Sequence, residues 1–382
     1  MTTTIKSFLQ FLKNDHLCNL TPSSALRVVF GNEAADFDSV VSTLTYAFCS
    51  YQKDPANPLV PIINIPRAEL PLRRDVMRSL NRLNVTEDLL FFNEEFKRYK
   101  TLCGSVNAIL VDHNEVEMNS RALVNIVTGI IDHHKDQKLH LEAHPRIVQT
   151  TGSCSSLVFN YWRDIILKSE SEGFKEVALL SLGAALLDTS NFRYKVEAPD
   201  LEALKYYESI LSDIDREEYY KQLKSDKDDL EGMHIKDIFK KDYKEFTFEQ
   251  DPHKIKVGIA SVGKPLEWLN KQCGTVDVFN SECIEAQKER NLDIFVVMTA
   301  WQDGSEFKRE ILVISPVKDH SERIMNKISS ELKLESTDQI NTASLDHHSY
   351  YFNAFNQLNV LASRKQVVPL LGDAFHSTAA DK

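Results

Sequence analysis

The stretch ALRVVFGNEAADFDSV, Ala25–Val40, decides the fold. Its first half is a short β-branched apolar run closed by Gly31, the pattern of a buried strand. Its second half carries Asp36 and Asp38 one residue apart. The helically spaced apolar residues of DSVVSTLTYAFCSY follow, with Asp38 and Ser39 as candidate caps. A strand, a polar turn and a helix in that order open an α/β unit. Two carboxylates in the turn repel each other and need positive charge to face.

The same order repeats downstream. LVPIINIP (Leu59–Pro66), VNAILVDHNE (Val106–Glu115) and IVTGIIDHHKD (Ile126–Asp136) read as further strands. The last two end in Asp112 and in Asp132, His133 and His134. LRRDVMRSLNRL, GSCSSLVFNYWRDII and EVALLSLGAALLDTSNF (Glu176–Phe192) read as helices, the last ending at Asp188. Alternating strands and helices predict an α/β fold, a mainly parallel sheet with helices on both faces. Such sheets bind ligands at the C-terminal ends of their strands, where these polar residues cluster.

From about residue 200 the chain changes character, and REEYYKQLKSDKDDLEG is charged with helical spacing. KIKVGIASV (Lys254–Val262), LDIFVVMTAW (Leu292–Trp301) and KREILVISP (Lys308–Pro316) then predict new strands, with helical stretches at Cys273–Arg290 and His320–Leu332. The expected organisation is a domain over 1–205, a linker at 206–215 and a smaller mixed α/β domain over 216–382. The active site is expected in the cleft between the domains.

Composition narrows the function. The chain has 382 residues, 42% hydrophobic and 26% charged, with a formal charge of −11. That balance argues against nucleic-acid and anionic-membrane partners, which favour a basic surface. Six cysteines without a CxxC pair read as reduced thiols in an intracellular, cytoplasmic protein. The N-terminal TIKSFLQFLKND is too polar for a secretory leader, and a mitochondrial presequence is the minor alternative. No apolar run approaches the ~18–20 residues of a membrane helix.

Asn32, Asp36, Asp38, Asp112, His133, His134 and Asp188 all fall at strand or helix ends. Gathered in one crevice, four carboxylates would be intolerable without cations. Carboxylates with imidazole suit Mn, Co, Fe or Zn, and carboxylate-rich sites also suit Mg. Two ions sharing a bridging carboxylate is the economical solution.

NEAADFDS, LVDHNE, GIIDHHKD and LLDTSNF resemble, in order and spacing, the four motifs of the DHH phosphoesterase superfamily. KKDYKEF (Lys240–Phe246) and SRKQVVP (Ser363–Pro369) resemble the C-terminal (DHHA2-like) domain shared by family II inorganic pyrophosphatases, prune-type phosphatases and fungal exopolyphosphatases. Family II pyrophosphatases place a His where this chain has Asn32, and prune-like proteins an Arg where it has His134. The chain therefore looks most like the fungal cytosolic exopolyphosphatases.

The resemblance implies hydrolysis of terminal phosphoanhydride bonds of linear polyphosphate by two-metal activation of water. The cofactors would be two divalent ions, Mg2+, Mn2+ or Co2+. Asp36, Asp38, Asp112, His133 and Asp188 match the family's metal ligands, with Asp112 and Asp188 bridging and Asn32 in a weak ligand position. His134 would contact the transferred phosphate or donate a proton to the leaving oxygen. Asp132 would support the ligands. Lys244, Arg364 and Lys365 would hold substrate phosphates, with Arg73, Arg74, Arg193 and Lys195 as further contacts. Metals and basic residues on different domains imply closure. A monomer is expected. The alternatives are a family II-type pyrophosphatase or prune-like short-chain phosphatase, a single-strand exonuclease and a non-catalytic binding protein. A second Asp-His-His, at Asp346, His347 and His348, lacks a leading strand and reads as a surface loop.

Overall fold

The computed structural model describes residues 4–116, 118–250, 253–337 and 350–375. The chain divides into two compact units, Met1–Asp229 and Leu230–Lys382.

The first unit contains strands β1 (Ala25–Phe30), β2 (Val60–Ile63), β3 (Phe91–Phe92), β4 (Ser105–Val111), β5 (Ile126–Asp132) and β6 (Arg146–Val148). Its helices are α1 (Ile5–Phe11), α2 (Phe37–Lys53), α3 (Arg74–Arg82), α4 (Asn93–Lys100), α5 (Met118–Arg121), α6 (Cys154–Ile166), α7 (Glu172–Asp188), α8 (Ala198–Ile210) and α9 (Arg216–Asp228). The sheet order is β3-β2-β1-β4-β5-β6 and every pair is parallel. Consecutive residues at the C-terminal ends of β1, β4 and β5 are buried, so both faces of the sheet are covered. The strand order reverses direction between β1 and β4, and in doubly wound sheets that switch point opens a crevice. Asn32 and Asp36 follow β1, Asp112 follows β4, and Asp132 closes β5.

Gly31 is required where β1 turns into α2. A Cβ there would lie 2.3 Å from Ser39 Oγ and 2.9 Å from Thr43 Oγ1, so only glycine lets the first turns of α2 pack so closely. The apolar residues of α1 (Ile5, Phe8 and Leu9) are fully buried in the core of this unit, which gives the N-terminal stretch a structural role.

The expected linker at 206–215 and the start of the second domain at 216 do not match this division. Residues up to Ile210 belong to α8, and α9 packs on α3 and α7 of the first unit. The reason is a charge clamp. Arg78 and Arg82 of α3 reach Asp226 at 2.9 and 2.6 Å, and Arg74 and Arg78 reach Asp229 at 2.7 and 2.5 Å. The acids of the charged stretch REEYYKQLKSDKDDLEG, which forms α9 and the turn after it, are partners for an arginine row. Asp226→Ala, which strips two arginines of a buried acceptor, is expected to lower unfolding free energy by about 1–2 kcal/mol in a urea titration.

The second unit contains α10 (Ile235–Lys241), β7 (Tyr243–Gln250), β8 (His253–Val262), α11 (Leu266–Cys273), α12 (Val276–Glu289), β9 (Ile294–Asp303), β10 (Glu306–Ser315), α13 (Lys318–Leu332), β11 (Leu334–Ser336), β12 (Tyr351–Gln357) and α14 (Arg364–Asp373). Its sheet runs β11-β12-β10-β9-β8-β7, and only β8 and β9 are parallel. Alternating residues of the central strands feed two apolar clusters. Phe295, Val297, Leu312 and Ile314 enter one, and Ile294, Val296, Ile311 and Val313 enter the other. The helical stretch expected over Cys273–Arg290 is α12, set off from α11 by Gly274 at φ +82, which ends α11. The second Asp-His-His, at Asp346, His347 and His348, lies outside the described residues. Among the described residues no helix is long and apolar enough to cross a membrane.

Candidate metal centre

Asp36 is the N-cap of α2, its carboxylate accepting the Ser39 N–H at 3.1 Å. The cap is thus the first carboxylate of the pair, rather than Asp38 or Ser39. Ser39 instead takes the Asn32 N–H on its Oγ at 2.7 Å.

Asp38, in the first turn of α2, is buried and reaches across to α6. Its oxygens accept the backbone N–H groups of Cys154 and Ser155 at 2.6 and 2.7 Å and the Ser153 hydroxyl at 2.7 Å. The N-terminus of α6 therefore binds an anion supplied by the chain itself. Gly152 brings that turn close, since a Cβ there would meet Thr189 Cγ2 at 2.4 Å and the Lys195 carbonyl at 2.7 Å. Burial still drives the Asp38 carboxyl up, opposed by His133 and reinforced by Asp36. Asp38→Ala would leave the α6 donors buried without an acceptor. It is expected to cost about 2–4 kcal/mol by chemical denaturation, in addition to any loss of activity.

Asp112 sits at φ +62, a left-handed conformation that aspartate tolerates better than most residues. It is buried. Its Oδ2 accepts the Asn32 side-chain N–H at 2.7 Å, and its Oδ1 has no hydrogen-bond partner. His133 Nε2 stands 3.2 Å from that oxygen and 4.0 Å from Asp38 Oδ2. The other ring nitrogen of His133, Nδ1, faces the Thr151 carbonyl at 3.0 Å, so Nδ1 carries the proton. In the neutral ring Nε2 is then a bare lone pair facing the unpartnered Oδ1 of Asp112. A histidine fixed by a backbone carbonyl on one nitrogen and offering the other is the arrangement of a metal ligand.

Asp188 ends α7, where the helix dipole disfavours an acid. Its Oδ2 is buried with no hydrogen-bond partner. Burial raises its pKa well above the ordinary carboxylate range, and Asp38 and Asp36 raise it further. Burial likewise raises Asp112, helped by Asp38 and Asp36. The turn after Asp188 is strained, with Ser190, Asn191 and Phe192 all at positive φ. Consecutive left-handed residues without glycine are kept only where the surroundings enforce them. Here Thr189 Oγ1 accepts the Phe192 N–H at 2.9 Å, and the Asn191 side chain donates to Glu217 at 2.5 Å.

Two orphaned buried carboxylate oxygens, an unprotonated imidazole nitrogen and mutually repelling acids fit divalent cations. Asp112, His133 and His134 also bring one ligand atom each within 4.8 Å of one another.

His134 and Asp132 form the mouth of the site. Asp132 is fully buried. Its Oδ1 accepts the His133 and His134 backbone N–H groups at 2.8 and 3.2 Å and the His134 Nδ1–H at 2.8 Å, while Oδ2 accepts from the Asn114 side chain. Burial alone would raise Asp132, but the hydrogen bonds from His134 and Asn114 prevail and hold it low. The hydrogen bond to Asp132 in turn raises His134, which favours a protonated ring. The half-exposed ring lines a cavity of about 830 Å³ together with Asp112, Asn114, Arg121 and Lys135.

Asn32 departs from the expected weak ligand. Its Oδ1 accepts the Ala34 and Ala35 N–H groups at 2.9 and 3.1 Å. That fixes the amide orientation and turns the NH2 towards Asp112, so Asn32 is a donor to that carboxylate. Arg73 donates through Nε and Nη2 to the Ala34 carbonyl at 2.9 and 2.7 Å, pinning the same loop. Arg74 is paired with Asp229, and Arg193 with Glu217 at 3.1 Å, so neither presents a free charge; Lys195 is exposed. In the second unit Lys244 lies exposed on β7, Lys365 is exposed, and Arg364 opens α14 with Nη2 2.7 Å from Asp242.

Four participants carried no clear signal in sequence. Asn114, Ser153 and the Thr151 carbonyl act on Asp132, Asp38 and His133, partners distant in the chain. Asp200, fully buried, accepts the Gly152 N–H at 2.7 Å and shapes the turn that holds Asp38. GSCSS was the one readable cue, as a Gly/Ser turn opening a helix.

Residues 27–185 match the DHH family, N-terminal domain, and residues 221–374 match the DHHA2 domain. A Schizosaccharomyces pombe protein, a candidate exopolyphosphatase, is 32% identical over 363 residues, covering 92% of this chain and 91% of that one. Human exopolyphosphatase PRUNE1 is 28% identical, covering 93% and 77%. A manganese-dependent inorganic pyrophosphatase of Methanothrix thermoacetophila is 23% identical, covering 91% and 97%. The crystal structure of a candidate family II inorganic pyrophosphatase from Methanococcus jannaschii covers 92% of this chain and 99% of its own, with a TM-score of 0.55 at 22% identity, a likeness of fold. On the shared architecture and the match across nearly the whole chain, the protein belongs to the DHH family in its two-domain DHH–DHHA2 form.

Proposed function

We propose that this protein is a metal-dependent exopolyphosphatase that removes orthophosphate from the ends of linear polyphosphate. The observation that carries the reading is the orphaned Oδ1 of Asp112 beside the lone pair of His133, with a second orphaned carboxylate oxygen on Asp188. Asp36, Asp38, Asp112, His133 and Asp188 would hold two divalent cations, Mg2+, Mn2+ or Co2+. Bound there, the ions would polarise a phosphoryl oxygen and lower the pKa of water.

The chain's own groups do the rest. Thr151 fixes the His133 tautomer, and Asn32 orients Asp112 by donating to Oδ2. Asp132 holds the His134 Nδ1–H and leaves Nε2 as the atom from which a proton can pass to the leaving oxygen. From the second unit, Lys244, Arg364 and Lys365 supply phosphate contacts on the strength of the family match; Arg gives a bidentate fork and Lys a point charge.

The pyrophosphatase reading stands second, supported by the manganese-dependent relative. Asn32 separates the two, since family II pyrophosphatases resemble this chain but carry His there. The exo mode has its own test. With long-chain polyphosphate and Mg2+, orthophosphate should be the product from the first turnovers, while the remaining chains shorten gradually on a gel. A ladder of mid-length fragments without early orthophosphate would contradict it.

A further inference from the structure

Arg309 on β10 is half-buried and has no carboxylate partner within ion-pair distance among the described residues. Its Nε–H goes to the Val360 carbonyl at 2.8 Å, and its guanidinium carbon lies 5.1 Å from the Phe307 ring centre. Among the described residues no other hydrogen bond engages its fork. A half-buried guanidinium without an acid is an uncompensated charge, and its surroundings would favour an incoming anion.

The position is specific. Arg309 faces Ala300 across the strand pair, and Met298 of β9 stands level with Ser261 of β8, so all four share one face of the sheet. α14 packs on that face through Val367 and Leu371 and begins with Arg364. Between them lies a hollow of about 210 Å³, lined by Arg309, Arg364, Ser261, Gly263, Ala300 and Asp242 among others. The small residues leave its floor open. The one carboxylate in it, Asp242, is engaged with Arg364, and the Arg364 Nη1 also reaches Ser261 Oγ at 3.3 Å.

We propose that Arg309 is a second phosphate-binding arginine, which with Arg364 takes one phosphoryl group of the polyphosphate chain in this hollow. The inference rests on the polyphosphate reading above and adds a residue to it. Two guanidinium groups on one small hollow, only one of them neutralised, leave net positive charge and forked N–H donors for a phosphoryl group.

The test uses the full chain in EDTA, with inorganic tripolyphosphate followed by calorimetry and by thermal shift. Wild type should bind. Arg309→Gln should bind about tenfold more weakly, and Arg309→Lys should fall between them. With metal present, the KM for long-chain polyphosphate should rise in Arg309→Gln while kcat stays within about twofold. If Arg309→Gln does not fold, Ala300→Glu replaces it, setting an acid directly across from Arg309 and abolishing binding. Tripolyphosphate affinity and KM unchanged in a folded variant overturn the inference, as does a wild type that binds no tripolyphosphate in EDTA. The two readings fail separately. A wild type that binds tripolyphosphate through Arg309 yet releases no phosphate from polyphosphate removes the proposed reaction and leaves this site standing.

Discussion

Asp112→Asn or Asp188→Asn should lower phosphate release by at least about three orders of magnitude without unfolding the chain. Each carboxylate has a buried oxygen with no protein partner, and each is pushed up by burial and by neighbouring acids. In the metal-free protein these groups are therefore a source of repulsion rather than of stability. Asparagine has nearly the same shape and removes one charge. The Asn32 N–H that Oδ2 of Asp112 accepts can still be accepted by the amide oxygen. Metal-free melting temperatures of the variants should equal or exceed that of wild type, and the rise in melting temperature on adding Mn2+ should shrink or vanish. A large loss of metal-free stability would mean that the carboxylates hold the fold instead of ions. Wild-type activity in either variant would remove them from the reaction.

Asn32→His should raise transition-metal affinity by at least about tenfold and shift preference towards pyrophosphate. The side chain now ties two backbone N–H groups to its oxygen and donates to Asp112. No ion can use that oxygen without breaking the turn. Imidazole offers a nitrogen in its place, a better donor for Mn or Co than for Mg. The change also releases the Ala34 and Ala35 N–H groups, although Arg73 continues to hold the Ala34 carbonyl. A modest loss of stability, about 1–2 kcal/mol, is therefore expected alongside the gain in affinity. Mn2+ titration calorimetry and the ratio of pyrophosphate to polyphosphate rates measure both effects. If neither moves, metal choice is made elsewhere.

Much of the site was readable because it sits where strands end. Runs such as VNAILV and IVTGII announce buried parallel strands, and the polar residue that follows each is placed by the strand itself. The roles within the cluster were less legible. Asp36 and Asp38 are chemically identical in sequence. One caps its own helix, while the other caps a helix that begins more than a hundred residues later. Asn32 looked like a ligand because family relatives place one there, and only the loop N–H groups show which end of the amide faces Asp112. The three-residue β6 and the two-residue β3 are too short to carry a periodicity. The charged helix α9 reads in sequence as part of the second domain because its arginine partners lie on α3, far away in sequence.

The central claim is polyphosphate hydrolysis at a metal centre built on Asp112, His133 and Asp188. Its most direct measurement is phosphate release from long-chain polyphosphate and from pyrophosphate, side by side, with Mg2+ and with EDTA. The account predicts faster release from polyphosphate and none in EDTA. Equal or faster turnover of pyrophosphate, or release that survives EDTA, would contradict it.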